Sequence, residues 1–209
     1  ARLMLRDGDK IEIAPGPEGN YGYLRFDREI TAPPVLGSRA TNLVAGLGGL
    51  EGRALRSGDR LELGPKLKRT MAPQPQAGSA VEGPIHFLWG VHADLFTEAV
   101  RQAFVHAAFR ISPRIDRMGA RLEDVANVFD GGTILSLVSD AVVPGDIQIL
   151  GDGTPIVLLR DHQPTGGYPR IGTVVTGDID RLAQMRPGSE FRFEPTTLSK
   201  LQSVRGGGP

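Results

Sequence analysis

Apolar residues in this chain come in short strand-like runs, separated by glycine- and proline-rich turns. Strand-like runs occur at Ile134–Val138, Ile147–Leu150, Pro155–Leu159, Ile171–Val175 and Glu190–Phe193. Short apolar runs bounded by turn residues mark strands, and the alternation seen in the repeated pattern below marks half-buried ones. One pattern recurs three times: Leu5-Arg-Asp-Gly-Asp-Lys-Ile-Glu-Ile13, Leu55-Arg-Ser-Gly-Asp-Arg-Leu-Glu-Leu63 and, more loosely, Met185-Arg-Pro-Gly-Ser-Glu-Phe-Arg-Phe193. Each copy reads as a glycine turn that feeds a strand, the glycine supplying the positive φ that such a turn needs. The copies are irregularly spaced, which excludes a solenoid. The best helix is predicted over Asp94–Phe109, where Leu95, Phe96, Ala99, Val100, Ala103 and Phe104 share a face and Ser112-Pro113 follows as a stop. A short helical turn is expected around Asp178–Met185. Many strands with one or two helices predict a mainly β fold, barrel-like. Residues 65–84, rich in Pro, Gln and Ala and without periodicity, read as a linker or extended crossover.

Composition narrows the function classes. The 209 residues include no cysteine, which removes disulfides, thiol nucleophiles and cysteine-bound metals. Lys plus Arg and Asp plus Glu both number 24, so no global field draws nucleic acid or an anionic membrane. The apolar runs are too short for a transmembrane helix, and a cytoplasmic location is expected. Gly at 28 and Pro at 16 exceed the usual joint share of roughly 12%, in keeping with many tight turns.

The candidate chemistry is concentrated between Ser139 and Gly188. There Asp146, Gln148, Asp152, Asp161, His162, Gln163, Thr165 and Tyr168 stand at the ends and turns of the strand pattern. Asp161-His162 supplies two proton carriers, and the Gly166-Gly167 amides are suited to an oxyanion or phosphate. Gln148 pairs a donor and an acceptor, as an amide substrate requires. Upstream, Arg114-Ile-Asp-Arg-Met-Gly-Ala-Arg121 places three arginines and Asp116 within one short segment. Two readings stay open for it: a clamp for a carboxylate or phosphate, or an internal ion-pair cluster around Asp116 that braces a loop. The scattered histidines, His86 and His92 among them, have no evident co-ligands, and no metal site is expected. No phosphate-loop, His-Glu-x-x-His or Gly-x-Ser-x-Gly signature occurs.

Several short motifs occur in an order that resembles a known family: Asp116-Arg-Met-Gly119, Arg121-Leu-Glu123, Val143-Pro-Gly145, Ile147-Gln148, Gly153 with Pro155-Ile156, Gly166-Gly-Tyr-Pro169, and Gln184 with Arg186-Pro-Gly188. Pro33-Pro-Val-Leu-Gly-Ser-Arg39 and Gly46-Leu-Gly-Gly-Leu-Glu-Gly52 extend the likeness to the earlier half. The pattern is that of the KipA family, also called allophanate hydrolase subunit 2 or the C subunit of 5-oxoprolinase, which is related to the carboxyltransferase domain of urea carboxylase. The likeness departs at Ala120, where the family usually has Tyr, and at Leu24–Ile30. A Gln-Asp-x-Gly-Arg segment expected near the start of a family member is not in this sequence.

The resemblance implies cyclophilin-like β-barrel domains. Residues 1–80 would be the later part of a first β-rich domain plus linker, and 81–209 a second barrel domain. It implies a subunit of an ATP-dependent 5-oxoprolinase-like complex that opens a cyclic amide. The expected partners are a KipI-like subunit (allophanate hydrolase subunit 1, or the B subunit of 5-oxoprolinase) and a LamB/YcsF-like subunit. Two other readings are a biotin-dependent carboxyltransferase component with biotin on a separate carrier, and a KipA-type regulatory module that antagonises a kinase inhibitor. The expected catalytic residues are Gln148, Asp161 and His162, with Arg117, Gly166, Gly167 and Tyr168 binding substrate.

Overall fold

The computed structural model describes residues 3–66, 83–130 and 136–206, with 203–206 as backbone only. The chain forms two compact units, one from Ala1–Gly22 and Ser79–Pro209, the other from Tyr23–Gly78. The smaller unit carries strands β1 (Arg28–Ile30) and β2 (Leu63–Lys66), paired antiparallel. Its turns are held by Arg53, whose guanidinium grips Asp59 at 2.8 and 3.0 Å. That bond, with the Arg56 N–H, pulls the Asp59 carboxyl down to about 2.

The larger unit runs β3 (Ile85–Trp89), α1 (Glu98–His106), β4 (Ala108–Ile115), β5 (Gly119–Asp124), β6 (Asp140–Ala141), β7 (Asp146–Ile149) and β8 (Pro155–Leu158). It continues with β9 (Thr165–Gly166), β10 (Arg170–Val174), α2 (Thr176–Gln184), β11 (Glu190–Pro195) and α3 (Leu198–Gly206). Seven of these strands close a barrel in the order β10-β3-β11-β4-β5-β8-β7, with β7 returning to β10. All its pairings are antiparallel except β11 with β3. Closure leaves the barrel no open edge.

Alternation along each strand fills the interior. Ile85 and Phe87, Phe109 and Ile111, Ala120 and Leu122, Ile147 and Ile149, and Phe191 and Phe193 are all buried in one core. Helix α1 closes over that core through Phe104, which stacks on Phe193 at 4.9 Å and lies 5.3 and 5.4 Å from Phe87 and Phe109. Thr97 caps the helix by accepting the Val100 N–H. Helix α2 is tied to β3 by Asp178, which takes the His86 N–H at 2.7 Å, the His86 ring at 2.8 Å and Arg181 at 2.7 Å. Burial alone would raise the Asp178 pKa. The two His86 bonds and Arg181 outweigh it and hold the carboxyl below its ordinary value.

The repeated motif is a shared turn. Gly8, Gly58 and Gly188 have φ of 85°, 90° and 89°. In each copy the residue after the glycine donates its N–H to the arginine carbonyl three positions earlier: Asp9 to Arg6 and Asp59 to Arg56 at 3.1 Å, Ser189 to Arg186 at 2.9 Å. The strand expected after the turn forms in full in the third copy, as β11; in the second copy it starts only at the last residue, Leu63, which opens β2, and Asp9–Ile13 and Asp59–Glu62 are not strands.

The helix expected over Asp94–Phe109 is shorter. A 3-10 turn at Ala93–Leu95 ends at Phe96, whose extended φ/ψ of −94°/136° breaks it from α1. Ala107 is extended too, and Phe109 belongs to β4, where it faces the core. Ser112-Pro113 therefore stops no helix; it lies in the register shift between Ile111 and Ile115, where β4 tolerates a residue without an N–H. Strands β7, β8, β10 and β11 and helix α2 form where the pattern placed them. Of Ile134–Val138, residues 136–138 are not in a strand and 134–135 lie outside the described residues, as do 67–82 of the expected linker.

Two outcomes test this packing. Phe104→Ala should lower unfolding free energy by ~3–5 kcal/mol in urea titrations, because the ring lies in the middle of the aromatic core. Asp178 has a depressed folded pKa, so its stabilisation is full above the unfolded carboxylate value of about 4 and is lost as pH falls through the lower folded value. The stability gap between the parent and Asp178→Asn should close on acidification; a gap constant from neutral to acid pH contradicts the assignment.

Candidate functional site

All four residues of β7 are buried, yet only Ile147 and Ile149 reach the barrel core. Asp146 and Gln148, at the alternate positions, face outward. Across the seam to β10, Thr173 registers with Asp146 and Arg170 with Gln148. These polar residues are covered because the chain before β7 and after β8 folds back as an arm in which β6 pairs with β9. Backbone bonds hold the arm together: Leu137 N–H to Gly167 O at 2.6 Å and Val142 N–H to Pro164 O at 3.2 Å.

Arg170 clamps the arm to the barrel. Its guanidinium reaches Asp140 at 2.6 Å, the Ala141 carbonyl at 2.7 Å and Asp146 at 3.4 Å. Asp146 in turn accepts the Thr173 hydroxyl at 2.7 Å and the Val143 N–H at 3.0 Å. The Ala141 N–H and then Arg170 hold the Asp140 carboxyl below its ordinary value.

Gln148 lies under this arm, 1% exposed. Its Oε1 is 3.5 Å from Gln163 Nε2, and its own Nε2 is buried with no hydrogen-bond partner. A Cβ on Gly166 would lie 2.5 Å from that nitrogen and 3.3 Å from Val142, so a side chain here would have to displace the Gln148 amide. A buried N–H without a partner costs about 1–3 kcal/mol. A carbonyl oxygen is the group this donor lacks.

The expected residues fall into two groups. Gln148 and Gly166 meet beneath the arm, with Gly167 and Tyr168 continuing the chain; Gly167 O is engaged by Leu137 and Tyr168 is 39% exposed. Arg117 and Asp161 meet at the end of β5 and β8, where Nε and Nη2 of Arg117 face the two Asp161 oxygens at 2.7 and 3.0 Å. The Asp161 N–H also binds the Arg117 carbonyl at 2.8 Å. His162 follows, its Nδ1 against the Gln163 carbonyl at 2.5 Å. Gln163 bridges the groups along the chain.

Sequence reasoning did not single out Arg170 or Asp140. Arg170 opens a strand directly after Tyr168-Pro169, where a charged residue ordinarily faces solvent. The available signal was Asp146, an acid placed within an apolar run and in need of a cation.

The sequence matches the family described as carboxyltransferase domain, subdomain A and B, over residues 1–195. It is 34% identical to the C subunit of the 5-oxoprolinase of Escherichia coli (strain K12), over 98% of this chain and 65% of that protein. Identity to the corresponding 5-oxoprolinase polypeptide of Haemophilus influenzae is 32%, again over 98% of this chain and 65% of the relative. The chain thus spans about two thirds of the length of these curated relatives. The urea amidolyase of Lachancea kluyveri is 27% identical over 97% of this chain and 12% of its own length. Among solved structures, the K. lactis urea amidolyase superposes with a TM-score of 0.70 at 22% identity, covering 86% of this chain and 12% of that one, which shows the shared fold.

If Gln148 Nε2 is held without a partner, Gln148→Met should raise stability by ~1–2 kcal/mol, since an apolar side chain of similar shape removes the penalty. Gly166→Ala should lower it. Urea titration of both variants checks this; a destabilised Gln148→Met would mean that the amide is already satisfied.

Proposed function

Because the chain belongs to the carboxyltransferase domain family, subdomain A and B, we propose that it serves as the C-type subunit of a 5-oxoprolinase-like complex, which opens a cyclic amide by hydrolysing its C–N bond at the expense of ATP. The observation that carries this reading is the identity, along nearly all of this chain, to two proteins named as the C subunit of 5-oxoprolinase. A KipI-like subunit and a LamB/YcsF-like subunit are the partners that the reading requires.

In this reading the lactam meets Gln148. The lactam oxygen accepts the Nε2–H that the arm leaves unpaired, and the lactam N–H faces Oε1 in place of the long contact with Gln163. Access requires the arm to lift at Gly166, and the Gly166-Gly167 backbone then faces the charge that develops on the oxygen. Arg117 binds an anionic group by sharing or exchanging Asp161, and the released Asp161 or neighbouring His162 moves the proton. Tyr168, half exposed, lines the opening. ATP acts as a substrate of the assembled complex; phosphorylation of the lactam oxygen would make its carbon open to water, a step governed by positioning and charge.

A second reading is carboxyl transfer to an amide from biotin held on a separate carrier protein, supported by the urea amidolyase relatives. The same Gln148 donor and acceptor pair would hold that amide.

The test is ATP hydrolysis by the co-expressed complex. 5-Oxoproline should stimulate turnover. Gln148→Ala and Asp161→Asn should reduce it about 100-fold or more. Arg117→Ala should also reduce it, while changing subunit stability by less than about 1 kcal/mol, because its ion pair is solvent-exposed. Co-elution with the KipI-like chain but no stimulated turnover would favour the regulatory reading. Biotin-dependent carboxylation of urea would favour the transferase.

A further inference from the structure

The arginine-rich segment 114–121 resolves into separate fates. Asp116 braces its own loop, accepting the Met118 and Gly119 N–H groups at 2.8 and 3.1 Å. Arg117 pairs with Asp161. Arg114 and Arg121 instead line a polar cleft of about 460 Å³ on the outer surface of β4 and β5, with Ser112, Asp124, Asp152 and Thr154. They stand on adjacent strands, close to the Ile115–Ala120 register pair. Among the described residues, neither guanidinium makes an ion pair or a side-chain hydrogen bond. Like charges side by side on neighbouring strands repel, and two arginine forks on one cleft wall match a carboxylate or phosphate.

The opposite need exists in the same cleft. Asp124 accepts the Phe129 N–H through Oδ2 at 3.0 Å, but its Oδ1 is buried with no partner. Of the other nearby acids, Asp152 caps the Thr154 N–H at 2.9 Å and feels the charge of Arg121, and Glu123 faces Arg110 at 3.4 Å, while the exposed Asp130 makes no side-chain hydrogen bond or ion pair among the described residues. The cleft therefore offers positively charged donors on one wall and, in Asp124 and Asp130, carboxylates that no ion pair of the described residues engages. Inorganic phosphate would satisfy the arginines but face the carboxylates of Asp124, Asp130 and Asp152. A metal ion would satisfy Asp124 and be repelled by the arginines.

We infer that this cleft binds a small amino-acid zwitterion, with its carboxylate across Arg114 and Arg121 and its ammonium on Asp124. The inference stands on the cleft alone and does not depend on the reaction proposed above, although the acid released by opening 5-oxoproline belongs to this class.

Isothermal titration of the full chain with glycine and L-glutamate, against acetate and inorganic phosphate, tests it. Saturable binding of an amino acid, absent for acetate and phosphate, is expected. Arg121→Gln should weaken it at least about tenfold, as the loss of a charge-assisted fork implies. Asp124→Asn should do the same, because its remaining oxygen keeps the Phe129 cap while its NH2 group opposes an ammonium. Arg114→Gln tests the same carboxylate contact should either variant fail to fold. The inference is overturned if phosphate binds as tightly as the amino acids, if neither amino acid saturates at millimolar concentration, or if folded variants bind like the parent.

Discussion

Arg170 is the residue on which the candidate site depends. The barrel closes where β10 meets β7, and at that seam Arg170 is almost fully buried on the outer face. A buried guanidinium is tolerated only when it is paired, and removing one partner of such a pair costs about 3–5 kcal/mol. Asp146 lies on the barrel wall, while Asp140 and the Ala141 carbonyl lie on the arm. Satisfying Arg170 thus brings the arm down on the wall. Once it is down, Gln148 is covered, and Gly166 is the residue whose missing side chain makes room.

This arrangement places an unfavourable feature on top of a stable one. The aromatic core around Phe104 and the closed strand ladder provide stability that does not depend on the arm. Apart from the Arg170 clamp, the arm is held by a two-residue ladder and a few backbone bonds. Segments of that kind open locally at lower free energy than a core. An unpaired donor beneath such a segment is a group that a ligand carbonyl would satisfy, which is the role proposed for Gln148.

Much of the barrel was legible because its strands obey a period of two. The turn of the repeated motif was legible from its glycine, and the three matching φ values follow from it. The helix over Asp94–Phe109 was misread because Phe109 satisfies the helical period and the strand period alike; only packing of Phe109 among Phe104 and Phe193 decides between them. The chemistry was legible where residues adjacent in sequence stay together, as with Gly166, Gly167 and Tyr168. It was not legible where pairing crosses the fold. Nothing local says that Arg170 is buried or that Arg117 reaches Asp161. Nor does it say that Asp116 turns back to its own loop and leaves Arg114 and Arg121 to the cleft.

The central claim is that the Gln148 side-chain N–H is held unpaired for the carbonyl of an amide ligand. The most direct measurement is the nitrogen and proton chemical shift of the Gln148 side-chain amide, followed by NMR in the assembled complex as 5-oxoproline is added. The account predicts that this resonance moves on saturation, with the proton shifting downfield as a hydrogen bond forms, and that the Gly166 backbone amide moves with it. Saturable binding with both resonances unchanged would place the lactam elsewhere and contradict it.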